Sequence, residues 1–468
     1  MRQCIVIILL MLTACGDNLE VTGDAARDAA TDAAHLDILA QLQALPGVTA
    51  TEKTPRFAPA GYRYFVLHVT QPVDHDATSG PTFDQEVSLI HRDVNAPMVA
   101  VTSGYNDYIH DHPEEPTTLL QANQISIEHR FFGDSRPAPE DWTKLTIAQM
   151  AADEHAIITL LKPLYHAPWI STGASKGGMT AVYHRRFYPQ DVAGTVAYVA
   201  PLSFAIPDAR YATFIDNVGT PACRIAIRAV AKEMLQHRRA ALLARANAQG
   251  GMYTRVAIGP ALESAIEDLE WSFWQYYGLS FCASIPSISA SDDVLFQFLD
   301  QISPISFSDD GSNLEFEAYF YQAYGQLGSP GTTSIRGDTA PPQLEPFRMF
   351  GDPDYVGSLP LGVAIPAFDA TAMQDIDNWV QTEGKNLIFI YGEWDPWSGG
   401  KFRLGMATDS LLATGAQGTH GTGLADVGEA DRVAAFAKLE AWTGVAPMPA
   451  SHRARVDFVR PHRHGPRN

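Results

Sequence analysis

Between residues 169 and 187 the chain has to turn from strand to helix across a few residues, and few architectures accommodate such a junction. The run Trp169-Ile-Ser-Thr172 is apolar and β-branched, the pattern of a buried strand, and Gly177 to Phe187 has helical spacing. Between them stands Gly173-Ala174-Ser175-Lys176-Gly177-Gly178, a G-x-S-x-G pattern in its expected setting. The physics explains the composition. Glycines on either side let strand and helix approach without side-chain clashes, and the serine sits on a strained turn that exposes it at the carboxyl edge of a sheet.

The surrounding elements follow one rhythm. Tyr64 to Val69, Val87 to His91 and Met98 to Thr102 are predicted strands, Thr117 to Ala122 a helix, and Gln124 to Glu128 a strand. Ile147 to Leu161 is a predicted helix and Val192 to Val199 a buried strand. Such alternation implies a mostly parallel sheet with helices on both faces. It stops between 208 and 348, where helical stretches such as Arg224 to Ala246 and Ala261 to Tyr276 run without a comparable β pattern. Strand character returns in Asn386 to Tyr391, and Arg432 to Trp442 has the stripe of a closing helix. The expected arrangement is an α/β-hydrolase core, residues 51–207 and 349–450, with a helical cap inserted at 208–348. At 468 residues the chain suits one large core carrying such an insertion.

A serine hydroxyl is a weak nucleophile near neutral pH and needs a histidine base and an acid that orients the ring. In this fold the acid follows the serine in the chain and the histidine follows the acid. Asp395, in Tyr391-Gly-Glu-Trp-Asp-Pro-Trp-Ser398, directly follows the late strand and is the leading acid, with Glu393 and Asp409 as competitors and a plain turn cap as its other use. Of 15 histidines, only His420 in Gly418-Thr-His-Gly421 lies between Asp395 and the closing helix, which makes it the leading base. The oxyanion needs backbone donors. The Lys176 N–H is one candidate, and Gly104 or Tyr105, in the loop after Met98 to Thr102, is the other. Trp394 and Trp397 flank the acid and either line a substrate pocket or pack in the core. His110 and His112 lack further metal-ligand spacing and are read as surface loop residues. The chemistry calls for no cofactor or metal.

The excess of 53 acidic over 33 basic residues repels phosphate backbones and excludes nucleic acid as a main partner. The N-terminus has Arg2, an apolar run from Cys4 to Leu12, and Leu12-Thr-Ala-Cys15. This is a signal peptide, residues 1–14, too short to span a membrane, and its end resembles a bacterial lipobox that would lipidate Cys15. Residues 15–50 then read as a lipidated cysteine and tether, with a helical stripe only at Leu36 to Leu45, and the basic stretch 451–468 as a solvated tail. The expectation is an exported, lipid-anchored envelope protein. Cys223 and Cys282 remain outside the signal; in an oxidising compartment they form a disulfide, and otherwise they are two separate thiols.

Several stretches together resemble the tripeptidyl aminopeptidase family of secreted bacterial serine peptidases, and more distantly the lysosomal prolyl carboxypeptidase and dipeptidyl peptidase group. They are Gln71-Pro-Val-Asp-His75, Phe83 to His91, Glu128-His-Arg-Phe-Phe-Gly133 with Ser135-Arg-Pro137, Ser171 to Pro189, and Tyr391 to Gly400. The resemblance implies an α/β-hydrolase with a helical cap that releases short peptides from free N-termini, with Ser175, Asp395 and His420 as triad. It also implies that acidic side chains receive the substrate ammonium. Glu128 is a candidate, with an ion pair to Arg130 or Arg136 as the alternative. An esterase or lipase on the same fold, or a non-catalytic binding lipoprotein, are the rival readings.

Overall fold

The computed structural model describes residues 37–107, 111–331, 342–350, 357–364 and 366–448. The signal segment, Cys15, His110 and the basic tail lie outside the described residues. The chain opens with α1 (Ile38–Gln43), β1 (Val48–Lys53), β2 (Arg63–Pro72), β3 (Thr82–His91) and β4 (Met98–Thr102). There follow α2 (Glu115–Leu120), β5 (Asn123–Ile127), α3 (Ile147–Leu161), β6 (Trp169–Ala174), α4 (Lys176–Phe187) and β7 (Gly194–Tyr198).

Nine strands form one sheet in the order β1-β2-β3-β5-β4-β6-β7, continuing through β8 (Leu387–Gly392) to β9 (Leu411–Gly415). The β1–β2, β2–β3 and β3–β5 pairs are antiparallel, and every pair from β5 to β9 is parallel. Burial explains the strand sequences. All residues of β4, β5, β7 and β8 are buried, as strands covered on both faces must be.

The strand period then divides the core in two. Met98 and Ala100, with Leu387, Phe389 and Tyr391, pack with Met150 and Ile157 of α3, Met179 and Val182 of α4, and α12 (Ala370–Glu383). Val99 and Val101, with Ile388 and Ile390, pack on the other face with Leu119 and Leu120 of α2 and Leu439 and Trp442 of α13 (Glu429–Thr443). This is an α/β-hydrolase fold.

Between β7 and β8 the described residues hold no named strand. They form α5 (Ala209–Ile215), α6 (Pro221–Glu233), α7 (Arg239–Gln249), α8 (Ile258–Glu267), α9 (Leu269–Tyr276), α10 (Asp292–Ile302) and α11 (Asp310–Gln322). Their buried apolar side chains, among them Tyr211, Ile227, Leu242, Trp271, Trp274 and Leu299, belong to a third hydrophobic cluster. The stretch predicted as one helix at 224–246 is interrupted by a π-helical turn at Met234–Arg238. The one predicted at 261–276 breaks at Asp268, whose carboxylate accepts the Ser272 and Ser303 hydroxyls.

One boundary is corrected. Residues 38–50, expected in the tether, belong to the folded body, because Ile38 and Leu42, one helical turn apart, are buried in the core and β1 pairs along β2.

Cys223 at the start of α6 and Cys282 after α9 are joined, with Cα atoms 5.6 Å apart and a sequence separation of 59. Cross-linking a loop of that size removes unfolded-state entropy worth about 4 kcal/mol. Replacing both cysteines by serine is therefore expected to lower the melting temperature by several degrees in calorimetry, with an early transition from the helical region. An unchanged melting curve would show that the bridge does not contribute.

Candidate active site

Ser175 caps α4 at φ +57° and ψ −124°, a conformation side-chain-bearing residues rarely adopt. It is held there from both sides: its N–H donates to Tyr198 O at 2.9 Å, and its carbonyl accepts from Met179 N at 3.0 Å. The helix can start so abruptly because Gly177 has no side chain. A Cβ there would lie 2.3 Å from Thr102 O, in the backbone of β4. The Thr102 hydroxyl adds a 2.6 Å hydrogen bond to Gly177 O.

Asp395 leaves the end of β8 fully buried and uses both carboxylate oxygens. Oδ1 accepts from Trp397 N at 3.1 Å, capping the 3₁₀ turn Pro396–Gly400, and Oδ2 pairs with His420 Nδ1 at 2.7 Å. The turn-capping use and the histidine-orienting use thus occur together. Glu393 is exposed and accepts from Gln417 N, and Asp409 lies on an exposed turn 3.9 Å from Lys385. Neither competitor pairs with His420.

Ser175, Lys176, Tyr105, Trp397 and His420 line a single cavity. Lys176 N is the first amide of α4, at the end of the helix where N–H groups lack intrahelical acceptors. Gly104 packs against that turn at φ +78°, and a Cβ on it would lie 2.4 Å from Gly177 N. Aromatic rings of α11, Phe316, Tyr319 and Phe320, form one wall. Asp107 and Glu114 bring carboxylates to the same cavity, where Asp107 accepts the Ser88 hydroxyl at 2.7 Å and the Ser126 hydroxyl at 3.0 Å. A strained serine, a histidine held through Nδ1 by a buried carboxylate, and amides at a helix start are the parts of acyl transfer through a serine.

Comparison with known proteins agrees. The family model described as PS-10 peptidase S37 matches residues 31–461. The chain belongs to the S37 peptidase family. It is 40% identical over 440 residues to the prolyl tri/tetrapeptidyl aminopeptidase of Streptomyces mobaraensis, covering 91% of this chain and 89% of that protein. It is 25% identical over 420 residues to the lysosomal Pro-X carboxypeptidase of Mus musculus, covering 75% and 82%. Among solved structures, an α/β hydrolase from Novosphingobium aromaticivorans aligns with a TM-score of 0.33 at 14% identity, over 82% of this chain and 99% of that one. The protein is a serine peptidase.

Two expectations about this S37 peptidase are corrected. Glu128 does not reach the cavity. It is buried beneath the following loop, where Oε1 accepts from Asp134 N, Ser135 N and Ser135 Oγ at 2.8 to 3.0 Å, and Oε2 from Asp107 N at 3.1 Å. Nor does it pair with arginine: Arg130 makes a two-pronged contact with Asp153 at 2.6 and 2.7 Å, and Arg136 reaches Glu317 and Glu140. His112, expected on the surface, is half-buried and lines the cavity beside Asp107 and Glu114. Trp397 meets both expectations, since it lines the cavity and packs edge-on to Trp271 at 5.2 Å. Its indole N–H has no hydrogen-bond partner among the described residues.

Burial pushes the Glu128 carboxyl up to about 7 despite its four donors, and Glu86 and Asp107 add repulsion. The folded state therefore keeps a proton that the unfolded chain releases near 4.5. Folded molecules bind more protons across that window, so this group's contribution to stability falls as pH rises from about 4.5 to 7 and is level above. The slope amounts to about 3 kcal/mol in total. Urea melts of wild type and Glu128→Gln across pH 5 to 8 are expected to differ by that slope; parallel curves would place the group's ionisation elsewhere.

Proposed function

We propose that this S37 peptidase releases tripeptides from the free N-termini of polypeptides through an acyl-enzyme on Ser175. The observation that carries the reading is that His420, held by the buried Asp395, lines the same cavity as Ser175. In this mechanism the Ser175 hydroxyl attacks the scissile carbonyl while His420 Nε2 takes its proton. Asp395 holds the Nδ1–H tautomer and stabilises the imidazolium. The oxyanion lies against the Lys176 N–H and the Gly104–Tyr105 loop. The protonated imidazole hands its proton to the leaving amine, and water then hydrolyses the ester.

The substrate's ammonium is assigned to Asp107 and Glu114. A tripeptide places its amine about 10 Å from the scissile carbonyl, and a carboxylate with little access to water selects strongly for a charged terminus. The name of the Streptomyces relative, prolyl tri/tetrapeptidyl aminopeptidase, supports a proline beside the cleaved bond, and the aromatic walls, including Trp397, suit its apolar ring. Export and anchoring through Cys15 belong to the same proposal; the disulfide and the lipobox-like Leu12-Thr-Ala-Cys15 support them.

Three measurements follow. Ser175→Ala should lower turnover of a free-amine tripeptide anilide roughly 10⁴-fold, and near-normal activity would end the assignment. N-acetylation of that substrate should abolish cleavage, and Asp107→Asn should raise KM for the free amine; an enzyme indifferent to acetylation that turns over short esters is an esterase. Cys15→Ala should move the full chain from the membrane fraction to the soluble exported fraction, and unchanged membrane association would refute the anchor.

A further inference from the structure

Lys176, directly after the serine, has a side chain that the acyl-transfer chemistry does not use. At the first turn of a helix beside a cavity such a lysine would ordinarily reach for water, yet this one is only 1% exposed. Its Nζ donates to Gly104 O at 2.6 Å and stands 5.6 Å from the centre of the Tyr105 ring and 5.3 Å from that of Phe132. Burying an amine is costly, so a lysine here is a poor space-filler where methionine would pack as well.

The bond falls on the loop that carries the second oxyanion donor. A trans peptide points its carbonyl and its N–H in opposite directions. With Gly104 O drawn to the buried amine, the N–H of the same peptide, which belongs to Tyr105, points away from it. The next carbonyl is pinned as well: Tyr105 O accepts from Ser103 Oγ at 2.7 Å and from His129 N at 3.0 Å. Gly104 itself lies against the Lys176–Gly177 peptide so closely that no Cβ would fit. Both peptides flanking Tyr105 are thereby set before any substrate arrives, which is the condition for stabilising a developing charge without reorganisation.

We propose that Lys176 is a positioning residue, whose amine fixes the Gly104–Tyr105 peptide so that the Tyr105 N–H, rather than that of Gly104, is the second oxyanion donor. The inference rests on Ser175 being the nucleophile. It holds for either charge state of the amine, because both keep an N–H to donate. Burial drives the amine toward its neutral form, and the buried Glu154 on α3 opposes that; His129 is the other titratable group facing it.

The test compares wild type, Lys176→Met and Lys176→Arg on a free-amine tripeptide anilide and in the rate of fluorophosphonate labelling. Lys176→Met keeps the length and loses the donor. Its kcat should fall about 10- to 100-fold, short of the full loss of a donor, with KM within about threefold and labelling slowed in parallel. Lys176→Arg should recover most of the rate. Wild-type kcat in Lys176→Met, with labelling at Ser175 intact, overturns the proposal and leaves the nucleophile assignment standing. No labelling of wild type removes the nucleophile assignment itself, and this inference with it. Should Lys176→Met fail to fold, replacing Tyr105 by its α-hydroxy acid removes the N–H, keeps the side chain and weakens Gly104 O as the acceptor of the Lys176 amine; a similar kcat loss supports the proposal and undiminished turnover overturns it.

Discussion

The structure turns on a contact between backbones at the point where β6 becomes α4. Thr102 O of β4 occupies the space a side chain on Gly177 would need, and Ser175 is held at a positive φ between Tyr198 O and Met179 N. Strain of this kind costs of order 1–3 kcal/mol and persists only where the surroundings over-determine it. Here they do, because β6 lies between β4 and β7 in the middle of the parallel half of the sheet, with a partner strand on each side. The rigidity that tolerates the strained serine also fixes the helix start beneath it and the loop after β4 beside it.

Near the cavity, buried charges divide by what they hold. Arg130 and Asp153, both fully buried, join β2 to α3 and the loop after β5: the guanidinium also donates to Val73 O and Lys144 O, and His75 adds a 2.7 Å contact to Asp153. Glu128 performs the same service for the loop at 131–135. Such pairs are costly to break and contribute little net stability when whole, so their value lies in specifying one loop arrangement. Asp107 differs. Its carboxylate accepts two serine hydroxyls and the residue belongs to the cavity wall.

What the sequence disclosed and what it hid follow from the range of the interactions involved. The G-x-S-x-G junction, the buried strands and the position of Asp395 are local patterns set by steric and hydrophobic periodicity, and they could be read directly. His420 could be read because chain order leaves a single histidine in the right interval. Glu128 is a candidate for the substrate ammonium in sequence because a carboxylate at a strand end looks available; three of its four donors come from a loop that folds back only in three dimensions, and the fourth, Asp107 N, from the loop after β4. Asp107 gives no signal and His112 reads as a surface loop residue, since neither lies in a recognisable motif and it is the packing of α11 that completes the cavity they line. Strand β1 and the break at Asp268 escaped for the same reason: partners far away in sequence decide both.

The helical region between β7 and β8 does more than cover the cavity. His420 N donates to Gln275 O, in the last turn of α9, at 2.9 Å. On the other side of the same loop, Glu115 of α2 accepts from Leu424 N at 2.8 Å and Ala425 N at 3.2 Å. The loop carrying the proposed base is thus held by the helical region at one end and by the core at the other, while Asp395 fixes only the ring. Trp397 extends the link, with its ring against Tyr211 and Trp271 of the helical region and 6.4 Å from the His420 ring. A displacement of the helices large enough to admit a folded protein would pull on the histidine loop. Access and the placement of the imidazole are therefore mechanically coupled.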